Sequence, residues 1–435
     1  MPPTISPAFE KATYDKVFRR VIPLLFLCYI VAFLDRVNVG FAKLQMAGDL
    51  QFSDAIYGFG AGIFFIGYFI FEVPSNVILA KVGAKPWIAR IMITWGVLSS
   101  ALMFVQTELW FYTLRFLLGA AEAGFFPGII LYLTYWFPAS RRAGMTASFM
   151  TAVAISNAVG SPISGAIMQY MDGWNGWRGW QWLFLLEGIP SVIMGFLVLV
   201  LLDNGPRQAK WLRNEERDLV LRRLAEDEAS KQRLGHKHHF IDAFRDGRVW
   251  ALAAVYFCGL LGFYAVTFWM PTLIQELGFD ENDFLAVGLL SMIPWGAAAV
   301  SMVLVGSHSD RTGERRWHAA GSLLVSVTGL LALAMVGHAP APSIVALTLV
   351  TAGTASWAAT FWSLPTAFLS GTAAAAGIAW INSVGNLGGH FGPDLIGRIR
   401  TATNSTEAAF FSLAAIAFVG AMIILRLPRT QSHKG

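Results

Sequence analysis

GSHSDRTGERR at residues 306–316 and NVILAKVGAKP at residues 76–86 each follow an apolar run long enough to cross a membrane. Lys81, Gly83 and Lys85 of the earlier segment match Arg311, Gly313 and Arg315 of the later one at an offset of 230. In so short a turn a glycine permits the tight reversal, and the cations hold the loop at the cytoplasmic surface while capping helix C-termini. The pair therefore implies a duplicated unit of several helices.

Working outward, stretches of predominantly apolar residues predict helices at about 21–46, 56–81, 87–106, 109–137, 143–171 and 180–202. A second six follow at about 249–277, 284–308, 317–337, 343–370, 373–398 and 407–427. The expected fold is an all-α membrane protein of twelve transmembrane helices in two pseudo-symmetric six-helix bundles, at 1–202 and 249–435. Residues 203–248 between them are highly charged, and Glu215 to Arg233 has amphipathic helical character with no spanning potential. That segment reads as a cytoplasmic linker helix.

Composition agrees. Hydrophobic residues make up 55% and charged residues 14%, with a mean hydropathy of +0.55, which excludes a water-soluble domain. Cys28 and Cys258 lie in apolar runs far from any Cys/His cluster, so disulfide and zinc readings fall away. His236, Lys237, His238 and His239 read as a solvated loop, not a metal patch. The first twenty residues are polar and precede no small-residue cleavage site, so the N-terminus is expected to stay uncleaved.

Lysine and arginine orient the chain. With the N-terminus inside, cytoplasmic segments hold 26 of the 32, outer loops hold four (Lys43, Arg178, Arg398, Arg400), and Arg36 and Arg115 fall within helices. Both termini are thus expected in the cytoplasm. The net charge of +5 is spread over loops facing anionic lipid, which removes the nucleic-acid reading.

Charges inside the helices are the best clue to function. An ionisable residue at the bilayer centre costs about 2.5–3.5 kcal/mol, so Asp35, Arg36, Arg115 and Glu122 facing lipid would cost on the order of 10 kcal/mol. They are expected to face a shared polar cavity. Measured from the outer helix ends, Asp35 and Arg36 lie roughly 15 Å deep, Arg115 roughly 10 Å and Glu122 roughly 20 Å. Arg115 and Glu122 share a face two turns apart, and Gly119 between them is expected to leave room for a solute. Protonating Asp35 or Glu122 frees an arginine, whose fork suits bidentate capture of a carboxylate. A proton and an organic anion are natural co-substrates; fixed helix-to-helix ion pairs are the plainer alternative.

The loop sequence resembles the GxxxDRxGxR motif of the major facilitator superfamily, complete at Gly306, Asp310, Arg311, Gly313 and Arg315, with Asn76 and Ala80 replacing its glycine and aspartate in the first copy. Within that superfamily the chain resembles the anion:cation symporters, the group of bacterial tartrate, phthalate, hydroxyphenylacetate and sugar-acid permeases. The blocks FLDRVNVGFA (33–42), GYFIFEVPSN (67–76), RFLLGAAEAGFFPGIILYLTYWFP (115–138), FLLEGIPS (184–191), FWMPTLI (268–274) and FWSLPTAFLSGTAAAAGIAWINSVGNLGG (361–389) carry the resemblance. It implies anion binding by Arg36 and Arg115, proton carriage by Asp35 and Glu122, and a gating loop at Gly83, Asp310, Arg311, Gly313 and Arg315. Phe33 stands where sugar-acid members often have tyrosine, which tilts away from highly hydroxylated sugar acids. His390 and Asp394 replace residues expected to be apolar or aromatic, and are selectivity candidates.

Other candidates come from position. Tyr68 shares the depth band and suits a solute hydrogen bond. On helix eleven Asn382, Asn386, His390 and Asp394 recur every fourth residue, with Asn386 a plausible solute ligand and Asn382 as easily a helix contact. Tyr264, Trp269, Trp357 and Trp362 suit stacking on an aromatic acid, against packing as the default. Glu72 and Glu187 are expected at cytoplasmic helix ends, snorkelling or capping.

No GxxxxGK[ST] phosphate loop exists, so transport is expected to run on a proton gradient without a cofactor. No Ser/His/Asp grouping shares the depth of the buried charges, so an enzyme is not expected. The leading reading is proton-coupled uptake of a small mono- or dicarboxylate across a bacterial inner membrane by a monomer using alternating access. An organic-anion exchanger or exporter, or a non-transporting anion sensor, is the alternative.

Overall fold

The computed structural model describes residues 6–233, 246–337, 339–368 and 371–427. Its described residues form α-helices and short turns, with no strand. In lipid no water satisfies the backbone, so each crossing segment must bond internally, and the helix is how it does so. The N-terminal half is built from α1 (Pro7–Val37), α2 (Val39–Leu50), α3 (Asp54–Val82), α4 (Ala84–Ala101), α5 (Glu108–Glu122), α6 (Phe125–Thr134), α7 (Ala139–Tyr170) and α8 (Gly179–Leu201). The linker helix α9 (Asn214–Arg233) follows. The C-terminal half contains α10 (Gly247–Gln275), α11 (Phe284–Thr312), α12 (Arg316–Val336), α13 (Pro340–Phe361), α14 (Ser363–Phe368), α15 (Gly371–Asn386), α16 (Gly388–Thr403) and α17 (Glu407–Arg426).

Eleven helical stretches among the described residues are long and apolar enough to cross a membrane, and the α15–α16 pair makes the twelfth pass. Leu109, Val200, Val300, Leu304 and Met335 are exposed on the outside of the bundle, where only lipid would cover them. Four passes are interrupted: at Asn38, at Ala123 and Gly124, at Trp362 and at Leu387. The second is the sharpest, because Ala123 turns extended and Gly124 takes a φ of 84° that a side chain would resist. Broken helices in membranes free backbone and side-chain groups to face a cavity.

The duplicated turns are visible in the backbone. Gly83 and Gly313 end α3 and α11 with φ of 100° and 69°. In the second turn Asp310 pairs with Arg315, and Arg311 is exposed. In the first, where Ala80 replaces the aspartate, the Asn204 side chain accepts the Lys85 N–H at 3.1 Å and fills the space beside Gly83.

Helix α1 starts well before the apolar run, because Tyr14 and Val17 form a buried stripe on an otherwise polar segment. Linker helix α9 docks beside it: Arg223 bonds Glu10 at 2.5 Å and Lys16 bonds Glu216 at 2.7 Å. The histidine-rich run at 236–239 lies outside the described residues.

Candidate functional site

The four breaks converge. Arg36 lies in the last turn of α1, two residues before Asn38, Glu122 is the last residue of α5, Trp362 caps α13 and Asn386 ends α15. Between them lies a cavity lined by residues of both halves. Eight of the residues singled out in the sequence line it: Phe33, Arg36, Tyr68, Tyr264, Trp357, Trp362, Asn382 and Asn386. Tyr29 and Tyr256 also line it and were not anticipated. Tyr29 was within reach of sequence reasoning, since it stands seven residues before Arg36 and so shares its helix face.

Arg36 organises the chamber. Its Nη2 pairs with Glu122 Oε1, and its Nη1 donates to Tyr264 Oη at 3.0 Å from the opposite half. Phe33, Phe64 and Tyr68 hold the guanidinium at 5.2, 5.4 and 5.7 Å from their ring centroids. Arg36 Nε and Glu122 Oε2 are buried without partners. A pair left with one free donor and one free acceptor has capacity for a further polar ligand.

Of the quartet read as sharing one chamber, Arg36 lines this cavity; Glu122 stands behind it as its ion-pair partner, and Asp35 and Arg115 lie elsewhere. Consecutive residues of a helix point about 100° apart, so when Arg36 faces the cavity Asp35 must face elsewhere. Its carboxylate is fully buried against α4 and α8, accepting hydrogen bonds from Ser99 Oγ at 2.8 Å and from Ser191 Oγ. Arg115 is fully buried between α3 and α10, donating to the carbonyls of Gly60 at 3.3 Å and Ala61 at 3.0 Å, with Nη1 unpartnered. Gly119 makes no room for a solute: a Cβ there would stand 1.9 Å from the Phe64 carbonyl, so it seats α5 against α3.

His390 and Asp394 also lie off the cavity. Each four-residue step rotates a helix face by about 40°, which carries them from the Asn386 face to the α3 seam. There a Cβ on Gly58 or Gly62 would strike the Pro393 or His390 carbonyl at 2.5 Å, so bare backbones touch across the halves. Asp394 pairs with Arg398 at 2.7 Å and not with His390, whose ring packs edge-on to Phe59.

Two polar contacts across the halves bracket the cavity. At the end away from the termini, Arg400 binds Asp54 at 2.9 Å and Glu276 at 2.6 Å, and Lys43 binds Asp54 at 3.0 Å. Trp269 lies beneath, 4.4 Å from Lys43 Nζ and 5.3 Å from the Arg400 guanidinium, so it belongs to this closure and not to the cavity. Toward the termini, Glu72 accepts from Asn382 Nδ2 at 2.8 Å and Ser383 Oγ at 3.0 Å. Glu72 is thus a buried bridge between halves, not a snorkelling end residue. Glu187 is likewise buried, in the first half of α8, where it accepts from Ser164 Oγ at 2.6 Å.

The comparisons with known proteins agree with this architecture. The Major Facilitator Superfamily model matches residues 25–393. Over 426 residues the chain is 50% identical to a protein of Agrobacterium vitis named as a tartrate transporter, covering 98% of this chain and 97% of that one. It is 46% identical over 418 residues to a Pseudomonas putida protein named as the metabolite transport protein NicT, covering 96% and 95%. The crystal structure of a D-xylose–proton symporter superposes with a TM-score of 0.75 at 15% identity, covering 95% of this chain and 99% of that one, a likeness of fold.

Proposed function

The chain belongs to the Major Facilitator Superfamily, and from that premise we propose that it carries a small carboxylate inward together with protons across a bacterial inner membrane. The observation behind this reading is the Arg36–Glu122 pair, a guanidinium at the wall of a cavity between two halves whose one carboxylate partner is titratable. Protonating Glu122 removes the counter-ion and leaves the fork to an incoming carboxylate, while an ionised Glu122 competes with it. Binding of anion and proton is therefore mutually favourable, which is the thermodynamic requirement of symport.

The excess of lysine and arginine on the termini side supports a cytoplasmic location for both ends, so the Lys43–Asp54–Arg400–Glu276 cluster closes the outer mouth and the Glu72–Asn382 bridge the inner one. Alternating access then consists of exchanging one closure for the other as the halves rock. Tartrate is the first candidate solute, because relatives covering nearly the whole chain bear that name. Aromatic walls at Phe33, Trp357 and Trp362 leave room for larger acids.

The test is uptake of labelled tartrate and other mono- and dicarboxylates by the purified carrier in vesicles under an imposed pH gradient. Accumulation abolished by a protonophore supports symport; counterflow indifferent to the gradient and to the protonophore would instead make the protein an exchanger. Glu122→Gln should keep anion exchange and lose gradient-driven accumulation.

A further inference from the structure

A second polar cavity lies between the halves, outside the central one. It is walled by α1, α2, α7, α10 and α11, and is lined by Asn157, Ser161, Ser164, Thr267 and Ser291 among apolar residues. Trp295 lines both spaces and separates them. Five amide and hydroxyl side chains line a space with room for about one water, whose hydrogen bonds they would supply.

Behind this chamber runs a line of buried polar groups that the central site does not use. Ser164 lines the chamber and donates to Glu187 Oε1 at 2.6 Å. Glu187 is 5% exposed and its Oε2 has no partner. Beside it stands Asn38, 1% exposed, whose amide reaches toward the Glu187 carboxyl. One turn along α8 from Glu187, Ser191 donates to Asp35. Among the described residues Asp35 is the one ionisable group facing Glu187; α4 presents Ser99 to Asp35, α7 presents Ser164 to Glu187, and the Lys43 of α2 is engaged with Asp54. Two carboxylates thus share an interior without a cation, an arrangement that favours a shared proton.

We propose that Glu187 is a proton-carrying residue of this transporter, passing protons between the second chamber and Asp35 along a route separate from the anion's. The inference rests on the symport reading above. A hydronium ion in the chamber donates to the Ser164 oxygen as the Ser164 hydrogen moves to Glu187 Oε1, leaving water, an intact serine and a neutral carboxyl. That carboxyl gives its proton to the Asp35 carboxylate and is ionised again. Asn38, with a carbonyl and an amino group on one rotatable amide, pairs with Glu187 in either state. The route supplies Asp35, which the central cavity does not reach.

The experiment uses the full chain in vesicles containing a trapped pH indicator, with tartrate as probe. Glu187→Gln should lower gradient-driven tartrate accumulation and the accompanying proton entry by about tenfold or more, whereas tartrate counterflow at equal pH persists. Ser164→Ala should slow accumulation and displace its pH profile, and Glu187→Asp should restore part of what the glutamine variant loses. Parent-like accumulation in Glu187→Gln overturns the inference alone. Equal loss of counterflow and accumulation in both Glu187 variants also overturns it, in favour of a structural role. A parent that fails to accumulate tartrate and every other carboxylate tested under the gradient sinks the symport reading itself, and the route with it.

Discussion

Asp54 and Arg400, 346 residues apart in the chain, meet in a 2.9 Å ion pair at the mouth of the molecule. Arg400 also holds Glu276, and Asp54 holds Lys43, so two cations and two carboxylates close the seam with no net charge. These partly buried pairs are worth on the order of 1 kcal/mol each, and they exist only while this end is shut. Asp54→Asn breaks two of these pairs and should therefore raise the population open at this end roughly 30-fold. A cysteine at Thr272, buried beside Lys43, reports the change by its labelling rate with an impermeant thiol reagent. Native Cys28 and Cys258 are buried and give little background. An unchanged rate would deny the cluster a role in closure.

The Glu72–Asn382 bridge should act in the opposite sense. Removing Asn382 leaves a buried carboxylate short of a donor, at a cost of about 1–3 kcal/mol in this conformation. Asn382→Ala should slow labelling at Thr272→Cys, and combining it with Asp54→Asn should bring the rate back toward that of the parent. Additive acceleration in the double variant would contradict a two-ended balance.

Arg36 and Arg115 stand on the same phenyl ring, 5.4 and 5.1 Å from the Phe64 centroid, yet they should respond differently to mutation. Arg36→Ala removes the cation at the cavity wall and should weaken tartrate binding at least about 30-fold by calorimetry. Arg115 is a buried cation with carbonyl partners and no carboxylate among the described residues, an arrangement that apolar replacement commonly tolerates or improves. Arg115→Met should leave the thermal midpoint unchanged or raised while uptake falls about tenfold. A lower midpoint with normal uptake would make Arg115 a structural residue only.

The docking of α9 should depend on acid. Burial pushes the Glu216 carboxyl up, but the hydrogen bonds from Lys16 and Arg213 outweigh it and hold the group below its ordinary value of 4.5. A carboxyl lowered in the folded state stabilises that state above its unfolded value, and the contribution is lost as pH falls through the folded value. Relative to the intrinsic exchange rate at each pH, amide exchange in α9 should accelerate below about pH 4, and Glu216→Gln should exchange faster at neutral pH with a flatter acid dependence. A parent-like profile in that variant would exclude the Lys16–Glu216 contact as the latch.

Hydropathy alone determined twelve crossings, the six-plus-six division and the burial of Arg36, Arg115, Asp35 and Glu122, because lipid penalises polar groups strongly enough to be read residue by residue. The offset between Gly83 and Gly313 likewise disclosed the duplication, since both turns need a positive φ. Which charge meets which was decided only by tertiary structure. Asp35 and Arg36 are adjacent in the chain but point about 100° apart, so one joins a serine pair in the N-terminal half and the other the central cavity. Lys43 and Arg400, counted in the sequence only as outer-loop cations, become partners of Asp54. Helix rotation and the helix breaks set these pairings, and both follow from packing against residues hundreds of positions away, which no local pattern of apolar spacing records.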